Sequence, residues 1–182
     1  MVRKRIGEMI CVVLFLIGSV SAPGHANMLA EGKPGPGDPA PMFTALDLSG
    51  KNLSLEEILK AGNVVLLNFW GLRCTNCIDE IGYLNPMYER YRNKGVVFLG
   101  VNVDGVKPEV IRKMMGSLPN VPRYSILPDP EFKIPDLYNM MGAPLTFVIG
   151  RDGKIVYRHE DFQPGDETPL EEVLQRSTAG EK

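Results

Sequence analysis

Three cysteines, two histidines and one tryptophan are all that 182 residues contain of those types. That is a thin supply for a metal centre, because a structural zinc site usually takes four Cys or His ligands. Charge of one sign is also lacking. The net charge is −2, and no Lys/Arg block follows the first few residues. A nucleic-acid partner is therefore not expected. No apolar run reaches the roughly 20 residues that a membrane-spanning helix needs. No segment repeats, which excludes a solenoid or propeller. The apolar content of 44% is ordinary, enough to bury a core without staples.

The first segment carries an address. Arg3, Lys4 and Arg5 precede an uninterrupted apolar run from Met9 to Ile17, and small residues follow to Ala26. A basic start, a short apolar run and a small-residue exit read as a secretory signal over 1–26. Gly24-His25-Ala26 places cleavage after Ala26; Ala22 is a poorer site because Pro23 follows it. The alternative is an uncleaved membrane anchor. Cleavage removes three bases and one acid, so the mature chain is two charges more acidic. It also removes Cys11, a hydrophobic filler in the apolar run, and His25. What remains is one histidine, His159, and a single Cys-x-x-Cys in an exported compartment where disulfides form. Neither a metal nor another cofactor is expected.

Residues 27–41, with Gly-Lys-Pro-Gly-Pro-Gly-Asp-Pro at their centre, read as a linker. A domain is expected over 42–178, followed by a tail at 179–182. Met42 to Leu48 and Lys51 to Leu53 flank Ser49-Gly50 as a hairpin. Ser54 caps a short helix, with Glu57 at the capping-box position. Asn63 to Trp70 and Gly95 to Val103 are apolar, β-branched runs expected to be strands covered on both faces. Between them, Thr75 to Arg92 has a helical stripe of Ile78, Ile81, Leu84, Met87, Tyr88 and Tyr91. A helix is predicted at 108–115, a short strand at 123–127 and a partial helix at 131–140. Leu145 to Ile149 and Lys154 to Arg158 form a second hairpin around Arg151-Asp152-Gly153, and a helix at 169–176 closes the chain. This order is α/β: a mixed, mostly parallel central sheet flanked by helices, with an N-terminal β-hairpin and a central insert.

Cys74 and Cys77 fall where the strand ending at Trp70 meets the helix beginning near Thr75. Residues i and i+3 share a helix face, so the two sulfurs can join without moving the backbone much. The helix N-terminus favours a thiolate, and Arg73 adds a positive charge beside it. Cys74 is then the attacking thiolate in disulfide exchange and Cys77 the resolving one. A purely structural disulfide is the bland alternative, but closing so short a loop contributes only ~2 kcal/mol. After a buried strand and at the opening of a helix, the motif points to redox chemistry.

Asn68-Phe-Trp-Gly-Leu-Arg-Cys-Thr-Asn-Cys77 resembles the active-site stretch of the exported TlpA/ResA-like thioredoxins. Cys77-Ile-Asp-Glu80 matches that branch's Cys-x-x-Glu, and Gly142-Ala-Pro-Leu-Thr-Phe-Val-Ile149 is similar to its Gly-x-Pro-x-Thr-Phe-x-Ile. Gly37 to Phe43 resembles its entry segment. The resemblance covers roughly residues 37 to 178 and implies the thioredoxin fold. It makes Pro144 a cis-proline facing the cysteines, with the Ala143 backbone open to pair with an extended substrate. It makes Glu80 the buried acid that helps deprotonate Cys77, a role its place three residues along the helix allows. Trp70 would pack beside the pair. The implied function is an exported, monomeric thiol–disulfide oxidoreductase, a reductase more than an oxidase. Its partners would be protein dithiols or disulfides, including the haem-site cysteines of apocytochrome c, and a membrane or periplasmic electron donor.

Some residues depart from the family pattern. Asn68 stands where thioredoxins proper carry an acid, which leaves proton handling to Glu80. Arg73 replaces a common Trp and favours a more acidic Cys74. Asn76 stands where Pro or His is common, which argues against a strong oxidant. Gly82 stands where a kinking Pro is usual, so a softer helix bend is expected. The alternative is a redox-inert binding or copper-delivery module on the same fold; copper-delivery relatives would show Cys-x-x-x-Cys and a dedicated His, and a thiol peroxidase would show a Cys after a Pro-x-x-x-Thr turn. The sequence has neither.

Overall fold

The computed structural model describes residues 32–179. The signal segment, its cleavage after Ala26, Cys11 and residues 180–182 lie outside the described residues. Twelve elements follow the order β1 (Thr44–Leu46), β2 (Asn52–Ser54), α1 (Leu55–Lys60), β3 (Val64–Trp70), α2 (Thr75–Tyr91), β4 (Val96–Asn102), α3 (Pro108–Met115), β5 (Ser125–Pro128), α4 (Lys133–Leu137), β6 (Leu145–Ile149), β7 (Ile155–Glu160) and α5 (Glu167–Thr178). This is a thioredoxin fold with a small antiparallel β1–β2 sheet in front of it.

β3 is the centre because its side chains suit two apolar faces at once: all seven residues are buried. Val65, Leu67 and Phe69 join Leu55 and Leu59 of α1 and Ile134 and Tyr138 of the 133–138 turn. Val64 and Leu66 join Leu84, Met87 and Tyr91 of α2 and Leu170, Val173 and Leu174 of α5. Each such side chain contributes roughly 1.5–3 kcal/mol on burial. One residue breaks the pattern. Asn68 points to the α2 side with no exposure at all, so it needs partners of its own.

The five strands run β5-β4-β3-β6-β7. β3, β4 and β5 are parallel, whereas β6 and β7 each pair antiparallel. The sheet is thus mixed, as expected: three parallel strands extended by the antiparallel β6–β7 hairpin. The reason is the connection between β5 and β6: it stays at the end of the sheet where β3 finishes, so Leu145 enters opposite Phe69. That route carries residues 143–144 to the same end as the cysteines.

Three local expectations change. The 27–41 stretch is no free linker from Gly37 on, because Gly37, Asp38 and Ala40 hydrogen-bond to Ile155 and Gly153 along the outer edge of β7; an unpaired strand edge is a template for such pairing. Ser54 accepts from the Glu57 N–H at 3.4 Å, so one arm of the expected capping box is present. In α2 the proline lies at 86, one turn beyond Gly82, and its missing N–H leaves the Gly82 carbonyl without a helical donor.

Candidate active site

β3 ends on Trp70, and Gly71-Leu72-Arg73 turn the chain into α2. Cys74 is the helix N-cap. Its Sγ accepts the Cys77 N–H at 3.2 Å, so the sulfur sits where unpaired amides and the helix dipole favour negative charge. Cys74 and Cys77 form a disulfide, with Cα atoms 5.2 Å apart. Cys74 is half-buried, and Cys77 is 0% exposed. Only the first sulfur is open to an incoming group.

Two loops hold this turn. From the end of β4, Asp104 Oδ2 accepts the Leu72 N–H at 2.8 Å and Asn102 Nδ2 at 2.7 Å. The approach is close enough that a Cβ on Gly71 would stand 3.4 Å from Asp104 Oδ1. From the start of β6, the Ala143–Pro144 peptide is cis and the Ala143 carbonyl lies 3.7 Å from Cys74 Sγ. Arg73 and Asn76 are exposed, and Asn76 donates to Asp161 at 2.9 Å.

Beneath the disulfide lies a buried polar cluster. Asn68 Nδ2 donates to Glu80 Oε2 at 2.8 Å and to Thr146 Oγ1 at 3.0 Å. Thr146 donates to Glu80 Oε1 at 2.7 Å. Tyr124 OH donates to Asn68 Oδ1 at 3.4 Å. The antiparallel register sets Asn68 directly opposite Thr146, so both face α2. Burial pushes the Glu80 carboxyl up to about 7; the Thr146 and Asn68 hydrogen bonds pull the other way, and the Asp166 charge adds to the rise. Burial also lifts the Tyr124 phenol well above its usual range, with the Glu80 charge contributing. Tyr124 is therefore a donor at any ordinary pH.

Trp70 is fully buried and packs with Cys77, Ile78, Ile81, Ile111 and Ile126. Its Nε1–H has no hydrogen-bond partner among the described residues. Gly100 makes room here: a Cβ there would stand 3.2 Å from Trp70 Nε1 and 3.0 Å from the Tyr124 ring.

The structure thus gathers Cys74, Cys77, Ala143 and Pro144 at one point, sets Asn68 and Glu80 in direct contact below them, and leaves Arg73 at the surface. Sequence reasoning missed Tyr124, Asp104 and Asp161, and gave Thr146 no role although it stands in a quoted motif. Asn102-Val-Asp104 at the end of a strand was a signal for a turn-forming acid. Among the described residues no group of three or more His, Cys, Asp or Glu side chains gathers as a metal site would require.

Comparison with known proteins agrees with this geometry. Residues 36–158 match the AhpC/TSA family. The thiol-disulfide oxidoreductase ResA of Bacillus cereus is 30% identical over 98% of this chain and 99% of its own length. ResA of Geobacillus thermodenitrificans is 30% identical over 84% of this chain and 86% of its own. Among solved structures, a thiol:disulfide interchange protein DsbE of Chlorobium tepidum superposes with a TM-score of 0.72 at 30% identity, covering 80% of this chain and 99% of its own. The chain belongs to the AhpC/TSA family of thioredoxin-fold proteins, and within it to the ResA/DsbE-like thiol–disulfide oxidoreductases.

Proposed function

We propose that this ResA-like oxidoreductase works as a reductant of protein disulfides. The observation that carries the reading is the buried Glu80 carboxyl, one helical turn beyond the buried Cys77 on the same face. A carboxylate there disfavours a second negative charge on the reduced pair. Asp104 adds an acid at the turn, opposite the exposed cation of Arg73. Strong oxidants owe their potential to a stabilised reduced form; these surroundings do the reverse and make the dithiol the better electron donor.

In the reduced protein, the Cys74 thiolate attacks one sulfur of the partner's disulfide. A Cys74–partner disulfide forms, and the partner's other sulfur leaves as a thiolate that takes a proton from water. Glu80 then accepts the Cys77 proton and later releases it to water. The Cys77 thiolate attacks Cys74 Sγ and expels the partner's second thiolate, which is protonated in turn. The partner has gained two electrons and two protons, and the Cys74–Cys77 disulfide is restored. A dithiol donor must reduce it again. Ala143, at the mouth, offers its backbone to an extended partner segment, Pro144 shapes that loop, and Trp70 packs against Cys77.

The setting we propose is outside the cytoplasm. Residues 1–26 act as signal or anchor, 42–178 as the catalytic domain, working as a monomer with a membrane or periplasmic donor. Apocytochrome c haem-site cysteines are the proposed substrate, on the strength of the family likeness. The test is the reduction potential of the Cys74–Cys77 couple by equilibration with glutathione. A value near that of thioredoxin, about −270 mV, supports a reductase; a value near that of DsbA, about −120 mV, overturns the direction proposed.

A further inference from the structure

Asp161 directly follows β7 with its backbone in the left-handed region, φ 64, a conformation that a non-glycine residue keeps only where its surroundings hold it. Three hydrogen bonds do so. Its N–H donates to the Pro144 carbonyl at 2.9 Å. Its Oδ1 accepts from Asn76 Nδ2 at 2.9 Å and from the Phe162 N–H at 2.9 Å. Phe162 is buried and packs on Tyr83 of α2, with ring centroids 5.3 Å apart. One exposed residue, on a segment rooted in the core, thus touches both walls of the site: the redox turn through Asn76, and the loop that presents Ala143 through Pro144.

We propose that Asn76 and Asp161 form a clamp that fixes the gap between the redox turn and the 143–144 loop, and so sets the affinity for an extended protein segment lying between them. Asp161 is a positioning residue: the sulfurs exchange electrons without it. The gap matters because a partner must pass its cysteine between Cys74 Sγ and the Ala143 carbonyl, now 3.7 Å apart, while its backbone pairs with that loop. An amide at position 76 can donate to Asp161, which a proline could not do. This inference rests on thiol–disulfide exchange and not on its direction.

The test compares Asp161→Ala, Asn76→Ala and Asp161→Asn. Insulin serves as the protein disulfide, dithiothreitol as the donor, and an aromatic disulfide reagent as a small substrate that needs no groove. Loss of the clamp is expected to raise KM for insulin by about threefold to fivefold, the size of one exposed hydrogen bond. The kcat, the rate with the small disulfide and the reduction potential should stay put. Asp161→Asn keeps an acceptor and should behave like the parent. An unchanged KM in both alanine variants would overturn the clamp. So would a parallel fall in kcat and in the small-disulfide rate, or an Asp161→Asn variant as impaired as Asp161→Ala. Should the protein prove an oxidant, the same KM split is read with a reduced Cys-x-x-Cys peptide, so that failure and this one remain distinct.

Discussion

On the outer side of the disulfide, around Cys74, the side chains are exposed: Arg73, Asn76 and Asp161 stand in solvent, and Met141, two residues before Ala143, is 80% exposed. On the inner side, around Cys77, water is excluded. Asn68, Glu80, Thr146 and Tyr124 bond one another inside a shell of apolar residues. The same unit charge counts for little in the first setting and for several kcal/mol in the second. On the proposed mechanism, outer residues choose and hold partners, whereas inner residues decide when a proton can leave Cys77. Changes on the two sides should separate by size and by kind.

Glu80→Gln should have the largest effect. It removes the proton acceptor and keeps the shape, so resolution by Cys77 should slow by about 100-fold, within the usual span of general acid–base catalysis. The mixed disulfide should accumulate, visible by mass spectrometry with a monothiol-releasing substrate, while first attack by Cys74 stays unchanged. The pH profile sharpens this: resolution in the parent should rise with pH through about 7, where Glu80 ionises, and the variant should lack that rise. Stability should change in the opposite sense. Glu80 holds its proton to a higher pH folded than unfolded, so folded protein binds more protons between about 4.5 and about 7. Its contribution is complete below the unfolded value and is lost as pH rises through the folded one. The loss is about 3 kcal/mol, from a shift of this size at 1.36 kcal/mol per pKa unit. Urea melts at pH 4.5 and pH 8 should show a much smaller difference for the glutamine variant. Equal differences would remove Glu80 from the inner cluster's energetics.

Thr146→Val is the next test, because Thr146 both accepts from Asn68 and donates to Glu80. The valine keeps the β-branched shape and leaves one Asn68 N–H and one Glu80 oxygen without partners, at a cost of about 1–3 kcal/mol. Losing the donor should also push the Glu80 ionisation upward, so the resolution profile should shift to higher pH while its plateau is kept. A variant that melts and titrates like the parent would show that Asn68 alone holds Glu80.

The two sides also differed in how far they could be read from sequence. The cysteines, the helix they open, the strand before them and the place of Glu80 follow from local spacing, since residues i and i+3 on one helix must share a face. Pro144 and Ala143 came through likeness to a family motif, because nothing local says that a loop 70 residues on returns to the cysteines. The rest depends on the sheet. Thr146 meets Glu80 only because β6 runs antiparallel to β3 and puts position 146 opposite 68. Tyr124 reaches Asn68 from just before the edge strand β5, across the Gly100 gap. Asp104 and Asp161 are loop acids at strand ends, indistinguishable in sequence from solvated turns until their partners are placed. The mixed sheet itself was legible from the strand–helix alternation and the second hairpin, but a short insert does not say whether it crosses back over the sheet or stays at one end.

Arg73→Ala should have the smallest effect, although sequence alone gave Arg73 a direct share in activating Cys74. Arg73 is exposed, and exposed charges are screened within a Debye length of about 8 Å at physiological salt. The helix N-terminus, through the Cys77 N–H that Cys74 already accepts, acts at contact distance and does not depend on salt in the same way. Loss of the guanidinium should therefore slow attack on a small disulfide by less than about twofold at 150 mM salt. The deficit should widen at 10 mM and vanish near 1 M. A salt-independent loss of tenfold or more would mean that Arg73 works at contact range, and that the outer side shares in the chemistry assigned to the inner one.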